Sequence, residues 1–307
     1  MAKRLAILLG IVALLAGCGD SGDGDSGDGG GAADGGAATT GIPAEIVAAL
    51  GTRVVVLSSE DGTEKRTLAE GETGVSSVAV TPDRSTVYFT RADPDALCGE
   101  GAAFQVMSVP FDDGTPEVFA SGSHAVVSPD GRRIAFATGG PNQCGPANLI
   151  AVQTLDSPGF SQQLIDEGGG ALRPLAWAQD GRRILFEAAS SPGIAPELRI
   201  SDDPPPSSVV AVSGTAATFR GDRVAVAVTT GDGFRVLVQK TPPVSGFRRF
   251  LRADGSSPTT LAFDASGETV LYVADGTLAR WTAGDDKPEQ LAQDVIDAAW
   301  VPSPNGG

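Results

Sequence analysis

Few residues of this chain have side chains suited to nucleophilic, acid–base or soft-metal chemistry. It has three cysteines, Cys18, Cys98 and Cys144, and a single histidine, His124. Most metal centres built on imidazole need more than one histidine, and this chain has a single one. His124 is also the one candidate for the base of a Ser-His-Asp triad. No nucleophile elbow, phosphate loop or Cys-x-x-Cys pair occurs in the sequence. We therefore predict no catalytic residue, no metal site and no cofactor, and the sequence identifies no ligand-binding residue.

The N-terminus has the order of an export signal. Lys3 and Arg4 precede eleven apolar residues, Leu5–Leu15, and Leu-Ala-Gly-Cys ends at Cys18. Such a run makes about 16 Å of helix, whereas a membrane span needs roughly 20 residues. The tetrapeptide resembles the lipobox of bacterial prolipoproteins, which implies a signal peptide over residues 1–17 and a lipid-modified Cys18 that anchors the protein to a membrane. The alternative is an ordinary secretory peptide in which the cysteine is incidental.

Composition predicts a flexible linker and excludes one class of partner. Residues 18–42 comprise the cysteine and a Gly-rich stretch with five Asp and no basic residue, which is too polar and small to form a core. The whole chain carries a formal charge of -16. Nucleic acids are bound by clustered Lys and Arg, and the densest basic group, Arg248, Arg249 and Arg252, has acids nearby. We expect no nucleic-acid partner.

Residues 43–307 contain a repeat of roughly 45 residues. Its most regular copies are HAVVSPDGRRIAFA, from His124, and LAWAQDGRRILFEA, from Leu175. A turn of Pro-Asp-Gly type joins two apolar segments that alternate with period two, which predicts a β-hairpin. Six copies occur, at intervals of 37 to 50 residues, with turn residues Asp83, Asp130, Asp180, Arg220, Ser266 and Ser303.

The spacing of apolar residues across the turn also supports a β-hairpin in each copy. In five copies an apolar residue before the turn is followed by another seven positions later. These pairs are Val80 and Val87, Val127 and Ile134, Trp177 and Ile184, Ala217 and Val224, and Phe263 and Val270. In the fourth copy Ala217 is small, so Phe219 with a shorter turn is the alternative.

Each hairpin is followed by further strand segments, which gives four short strands every 40 to 50 residues. This pattern is typical of a β-propeller blade. The sixth copy ends after its first strand, whereas residues 45–50 and 53–69 supply strands without a first strand ahead of them. We therefore predict an all-β fold, a six-bladed β-propeller of four-stranded blades that is closed by joining the N- and C-terminal strands.

The segment HAVVSPDGRRIAFA and its relatives resemble the WD40-like repeat of TolB, which also occurs in actinobacterial lipoproteins and in the propeller of prolyl oligopeptidases. The resemblance covers residues 44 to about 304 and implies a TolB-type propeller. Two copies match closely, whereas Ala178-Gln179 and Arg220-Gly221 depart from the pattern. We find no hydrolase domain after the repeats and no counterpart of TolB's N-terminal domain, so neither peptidase activity nor a Tol-Pal role is implied.

Cys98 and Cys144 occupy equivalent loops of adjacent copies. Cys98 lies 15 residues after Asp83, and Cys144 lies 14 residues after Asp130. Equivalent loops of adjacent blades are neighbours, and an exported protein meets an oxidising compartment, so we predict a disulfide between them. The alternative, a metal-binding pair, lacks histidine partners.

These observations favour a noncatalytic, extracytoplasmic module, held at a bacterial membrane by lipid, that binds or scaffolds a protein, peptide or glycan of the cell envelope. The loops that carry Cys98 and Cys144 are the expected partner surface. The alternative is a hydrolase or lyase that uses Asp and Glu of the propeller channel, with calcium as a possible cofactor.

Overall fold

A computed structural model describes residues 44–96, 103–139, 147–156, 161–166, 170–189, 196–201, 207–209, 214–221, 223–240 and 248–303. The described residues contain twenty-four β-strands and no helix, and hence none long and apolar enough to cross a membrane. The strands form six sheets of four antiparallel strands each. The structure confirms the all-β, six-bladed propeller.

The bounds of the strands are as follows, and we number the blades from the first complete hairpin. Blade 6 contains β1 (Glu45–Leu50), β2 (Arg53–Ser58) and β3 (Glu64–Glu70); blade 1 contains β4 (Val75–Val80), β5 (Thr86–Ala92), β6 (Phe104–Pro110) and β7 (Glu117–Ser121); blade 2 contains β8 (Ser123–Val127), β9 (Arg133–Thr138), β10 (Leu149–Thr154) and β11 (Ser161–Ile165). Blade 3 contains β12 (Ala171–Trp177), β13 (Ile184–Ala189), β14 (Glu197–Ser201) and β15 (Ser207–Val209); blade 4 contains β16 (Ala216–Arg220), β17 (Arg223–Thr230), β18 (Gly233–Lys240) and β19 (Arg248–Asp254). Blade 5 contains β20 (Thr260–Phe263), β21 (Thr269–Ala274), β22 (Thr277–Thr282) and β23 (Glu289–Ala292), and β24 (Val295–Trp300) completes blade 6.

The ring is closed in blade 6, where the last strand of the chain pairs with the first. β24 lies innermost and runs antiparallel to β1, with Trp300 opposite Ile46. The innermost strands β4, β8, β12, β16, β20 and β24 contact one another in this order around the ring, and β24 contacts β4. Joining the termini in one sheet therefore leaves no gap between blades 5 and 1.

Packing between blades explains why the second strand of each blade is so apolar. A second strand is covered by neighbouring blades on both of its faces, so both sets of alternating side chains are buried. In β1, Ile46–Ala49 are all fully buried, and Val224–Ala227 of β17 are buried to the same degree. The core is therefore a series of layers between blades rather than one central cluster.

The predicted hairpins of blades 1 to 5 are confirmed, and in four of them the two apolar residues seven positions apart are cross-strand partners. Val80 pairs with Val87, Val127 with Ile134, Trp177 with Ile184, and Phe263 with Val270. The spacing of seven residues therefore corresponds to a constant register at the hairpin turn.

In blade 4 the alternative with Phe219 and a shorter turn is right, and Ala217 does not hold this place. Phe219 pairs with Val224 and Arg220 with Arg223, so the turn in blade 4 is two residues shorter than in the other blades. Gly221 has a φ of +60°, as a tight two-residue hairpin turn requires. The shorter turn places the aromatic Phe219, instead of Ala217, at the position of Trp177 and Phe263 in their blades.

Candidate functional site

The propeller has two chemically different ends. At one end, which we name the turn end, a hairpin turn joins the first and second strands of blades 1 to 5. At the opposite end, the loop end, each innermost strand begins and each second strand leads to the third. The connections between β5 and β6 and between β9 and β10 are therefore at the loop end. Cys98 and Cys144 belong to these connections but lie outside the described residues, so their disulfide stays a prediction, as does lipidation of Cys18, which also lies outside them.

A central channel runs between the six innermost strands. Its cavity has a volume of about 380 Å³ and is lined by residues of all six strands. Ser77, His124, Thr260 and Asp297 contribute polar groups, and Ile296 contributes an apolar side chain. The cavity is within the size range of small-ligand sites.

A second cavity of about 580 Å³ lies at the loop end, mainly between blades 2 and 3. Phe104, Thr138 and Glu187 line it, and it shares His124 and Arg173 with the channel. The channel and this loop-end cavity are therefore adjacent, and Arg173 and His124 lie where they meet.

Irregularities of the innermost strands shape the channel wall. The pairing register shifts at Ser77, between Ser123 and Val126, at Leu175 and at Ile296. Ser77 and His124 also have positive φ angles, 42° and 54°, which are uncommon for residues other than glycine. β-Bulges bend a strand and redirect side chains, and they occur often beside functional sites.

Asp297 connects three blades across the channel. Its Oδ1 accepts a hydrogen bond from Thr260 Oγ1 at 2.6 Å, and its Oδ2 accepts one from the backbone N–H of Val78 at 2.8 Å. Burial raises the pKa of the carboxyl group, although both hydrogen bonds act in the opposite direction. Asp297 thus uses both oxygens to hold blade 6 to blades 5 and 1.

The bulge at His124 is held by the neighbouring blade. Thr90 Oγ1 accepts a hydrogen bond from the backbone N–H of His124 at 2.9 Å and lies 2.8 Å from Ser77 Oγ. Burial and, to a lesser extent, the charge of Arg173 lower the pKa of His124 to about 4. The imidazole is therefore neutral at neutral pH.

Arg173 and Glu187 supply opposite charges at the junction of the two cavities. Arg173 Nε lies 2.9 Å from Glu187 Oε2, and the two side chains form an ion pair. The Nε–H group is not oriented for a hydrogen bond to this oxygen. The Arg173 side chain is 32% exposed and that of Glu187 only 13%. Glu187 therefore lies behind the guanidinium group, and Arg173 presents the accessible charge.

The arrangement offers binding groups rather than a recognised catalytic set. Ser123 Oγ lies 3.0 Å from His124 Nδ1, but among the described residues no carboxylate contacts this imidazole, so the orienting group of a triad is missing. The described residues also contain no cluster of three His, Cys, Asp or Glu side chains that could hold a metal ion.

Sequence reasoning did not identify Ser77, Arg173, Glu187 or Asp297, although the repeat contains a signal for most of the channel. Ser77, His124, Thr260 and Asp297 each lie three positions before the last residue of an innermost strand. A polar residue at this fixed place in an otherwise apolar strand marks the channel wall. Arg173 lies four positions before Trp177 because Leu175 is the extra residue of a bulge.

Comparison with solved structures supports the fold. The chain resembles one chain in the crystal structure of a nidogen/laminin complex, with a TM-score of 0.63 and 12% identity over 83% of this chain and 97% of that chain. It also resembles a structure described as TolB from Agrobacterium tumefaciens, with a TM-score of 0.59 and 12% identity over 82% of this chain and 90% of that chain. No protein family model and no curated protein matches the chain. The comparisons thus bear out the TolB-type propeller expected from the repeat at the level of fold.

Proposed function

We propose that this chain is a noncatalytic binding module of the bacterial cell envelope. In this proposal, lipid on Cys18 holds it, outside the cytoplasm, to the cell membrane or to the periplasmic side of an outer membrane. The linker separates the propeller from the lipid, and the loop end binds a protein or peptide partner. Its TolB-like fold neighbour is consistent with a binding or scaffolding role.

The observation that carries the proposal is the location of exposed apolar side chains. Three large hydrophobic residues are exposed among those described: Phe104 (39%), Ile296 (43%) and Val118 (54%). Phe104 lines the loop-end cavity and Ile296 lines the channel. Two of the three exposed residues therefore lie in concave sites, where an apolar side chain is available to contact a ligand.

Site-specific photocrosslinking in intact cells tests the loop end as the partner surface. The photoreactive residue p-benzoylphenylalanine replaces Phe104 in one version of the full chain and replaces Arg132, an exposed residue of the blade 2 turn, in a matched control. We expect one discrete adduct of higher mass from position 104 and none from position 132. Equal labelling at both positions, or no adduct from position 104, would contradict the proposal.

Membrane fractionation tests the anchor separately. Cys18→Ser removes the thiol that would carry the lipid, and we expect the protein to move from the membrane fraction to a soluble extracytoplasmic fraction. Retention of the Cys18→Ser protein in the membrane fraction would show that something other than this lipid holds the chain.

The hydrolase or lyase alternative has no specific observation in its favour. The carboxylates that line the two cavities, Asp297 and Glu187, are engaged by Thr260, Val78 and Arg173. A calcium-dependent enzyme would melt at a clearly higher temperature with calcium than with a chelator, and this measurement discriminates between the two candidates.

A further inference from the structure

The guanidinium group of Arg173 has one edge turned to an internal partner and another edge without one. Its Nε is beside Glu187 Oε2. Among the described residues, no hydrogen bond reaches Nη1 or Nη2 of Arg173. These two nitrogens form the second edge of the planar group, which matches the two oxygens of a carboxylate.

The surroundings of this edge favour an anionic group, because neither nearby carboxylate, that of Glu187 or Asp297, is hydrogen-bonded to it. Arg173 lines both the channel and the loop-end cavity, and its side chain is 32% exposed. Glu187 is largely buried, and Asp297 directs its two oxygens to Thr260 and Val78. His124, the neighbouring imidazole, is neutral at neutral pH and so leaves Arg173 as the single accessible cation of the junction among the described lining residues.

Apolar side chains lie in the same two cavities. Ile296 is exposed in the channel, and Phe104 is exposed in the loop-end cavity. Leu175 of the blade 3 bulge also lines the channel. A ligand with a carboxylate next to an apolar side chain would satisfy both kinds of contact, and peptides carry this combination.

We propose that Arg173 binds a carboxylate of a peptide ligand through Nη1 and Nη2, with an adjacent apolar side chain of the peptide against Ile296 or Phe104. The carboxylate belongs either to the C-terminus or to an acidic side chain of the peptide. This inference rests on the proposed function and assigns its ligand chemistry.

A glycan fits the described lining less well. Saturated sugars present hydroxyl groups, which are best matched by side chains that both donate and accept hydrogen bonds. Among the described residues that line the two cavities, such groups are limited to Ser and Thr hydroxyls and His124; there is no Asn, Gln, Trp or Tyr, and Asp297 and Glu187 are already engaged. The charged edge of Arg173 is the dominant unpaired group.

Isothermal titration calorimetry on the full chain in detergent tests the proposal with four small probes. N-acetyl-leucine carries a C-terminal carboxylate, and N-acetyl-aspartyl-leucinamide carries a side-chain carboxylate. N-acetyl-leucinamide is the neutral match, and N-acetylglucosamine represents a glycan. We expect at least one carboxylate probe to bind at least tenfold more tightly than the neutral amide, and the stronger of the two identifies the source of the carboxylate.

Three variants connect the binding to the guanidinium edge. Arg173→Gln should reduce carboxylate binding to the level of the amide, whereas Arg132→Gln, which removes an exposed arginine at the turn end, should leave it unchanged. Glu187→Gln removes the internal competitor and should tighten carboxylate binding several-fold. A merely structural role of the ion pair predicts the opposite for Glu187→Gln, because loss of a supporting contact would weaken the site.

Equal binding of acid and amide, preference for N-acetylglucosamine, or full binding by Arg173→Gln overturns the inference. If Arg173→Gln fails to fold, Arg173→Lys takes its place, because it keeps the charge but lacks the paired Nη1 and Nη2 groups. We expect it to lose most of the tenfold preference for the carboxylate probe over the amide. Failure here is distinguishable from failure of the proposed function: an adduct at position 104 without carboxylate preference contradicts only the ligand chemistry, and carboxylate binding without an adduct contradicts only the partner surface.

Discussion

The turn end and the loop end of this propeller use their polar residues in opposite ways. At the turn end, carboxylates close turns: Asp83 Oδ1 accepts a hydrogen bond from the N–H of Ser85 at 3.0 Å, and Asp130 Oδ1 accepts one from the N–H of Arg132 at 3.1 Å. At the loop end, bulges and positive φ angles bring Ser77 and His124 to the channel. The turn motif therefore stabilises the ring, whereas irregularities of the innermost strands build the candidate site.

Contacts between blades at the turn end follow one pattern. The guanidinium group of Arg133 reaches the carbonyl oxygen of Gly181 in the next blade and lies 4.9 Å from the ring centre of Trp177. Trp177 Nε1 donates back to Val126 O at 3.0 Å. In blades 4 and 5, Arg220 likewise reaches the carbonyl oxygen of Gly267 and lies 5.7 Å from the ring centre of Phe263. Each contact ties one blade to its neighbour.

The largest expected effect comes from breaking a contact of this kind. Trp177→Ala removes a buried ring and its hydrogen bond to blade 2, so we expect the free energy of unfolding to fall by about 3–5 kcal/mol. Trp177→Phe keeps most of the ring and should cost only about 1 kcal/mol for the lost N–H bond. Urea denaturation measures both, and a loss below about 1 kcal/mol for the alanine variant would show that the turn end does not hold the ring.

A disulfide between Cys98 and Cys144 would give the loop end a constraint of its own. Closing a loop of nearly fifty residues stabilises by roughly 3–4 kcal/mol, mainly through the unfolded state. We expect Cys98→Ala with Cys144→Ala to lose this amount in urea denaturation, and a reductant to have the same effect on the wild type but none on the variant. Mass spectrometry that finds two free thiols in the exported protein would contradict the pairing.

His124 makes the loop end sensitive to mild acid. Its pKa is lowered from 6.5 to about 4 in the folded protein, so the unfolded chain takes up the proton first as pH falls. The contribution of the neutral imidazole is fully present above pH 6.5 and is lost as pH falls to about 4, where the loss reaches about 3 kcal/mol.

The matched variant is His124→Gln, which cannot titrate. We expect the difference in unfolding free energy between wild type and variant to shift by about 3 kcal/mol against the wild type between pH 7 and pH 4, measured by urea denaturation. The carboxylates of the turn end titrate in both proteins and cancel. A difference independent of pH would mean that His124 is solvated and that the channel is open at this point.

The comparison also explains what could be predicted from the sequence. Hairpin turns depend on neighbours within about ten positions, which is why the hairpins of blades 1 to 5 were predicted correctly. The use of residues 45–50 as a strand was also predicted correctly. The error at Ala217 has the same local origin, because a turn shorter by two residues shifts the partner of every residue before it.

The channel could not be predicted in this way, because its contacts join distant parts of the chain. Asp297 binds the N–H of Val78, 219 residues away, and only ring closure brings them together. The bulge that places Arg173 one position out of the common pattern lies next to Pro174, which has no N–H to donate to the neighbouring strand. The polar residue three positions before the strand end was visible in four copies, but its meaning depended on this geometry.

The smallest expected effect separates the two ends by the sign of their response to pH. The main cause of the lowered pKa of Asp130 is a side-chain hydrogen bond from Ser128, whereas burial raises the pKa of Asp297. The Asp130 contribution is therefore present above pH 3.8 and is lost on acidification. For Asp297 the folded state binds the proton more tightly, so stability falls as pH rises from 3.8 through its raised pKa. We expect Asp130→Ala to lower the free energy of unfolding by about 1 kcal/mol at pH 7 and not at all near pH 2. For Asp297→Asn, we expect that stability no longer falls as pH rises. Thermal melts from pH 2 to 7 measure both, and slopes of the same sign would show that the carboxylates of the two ends lie in similar surroundings.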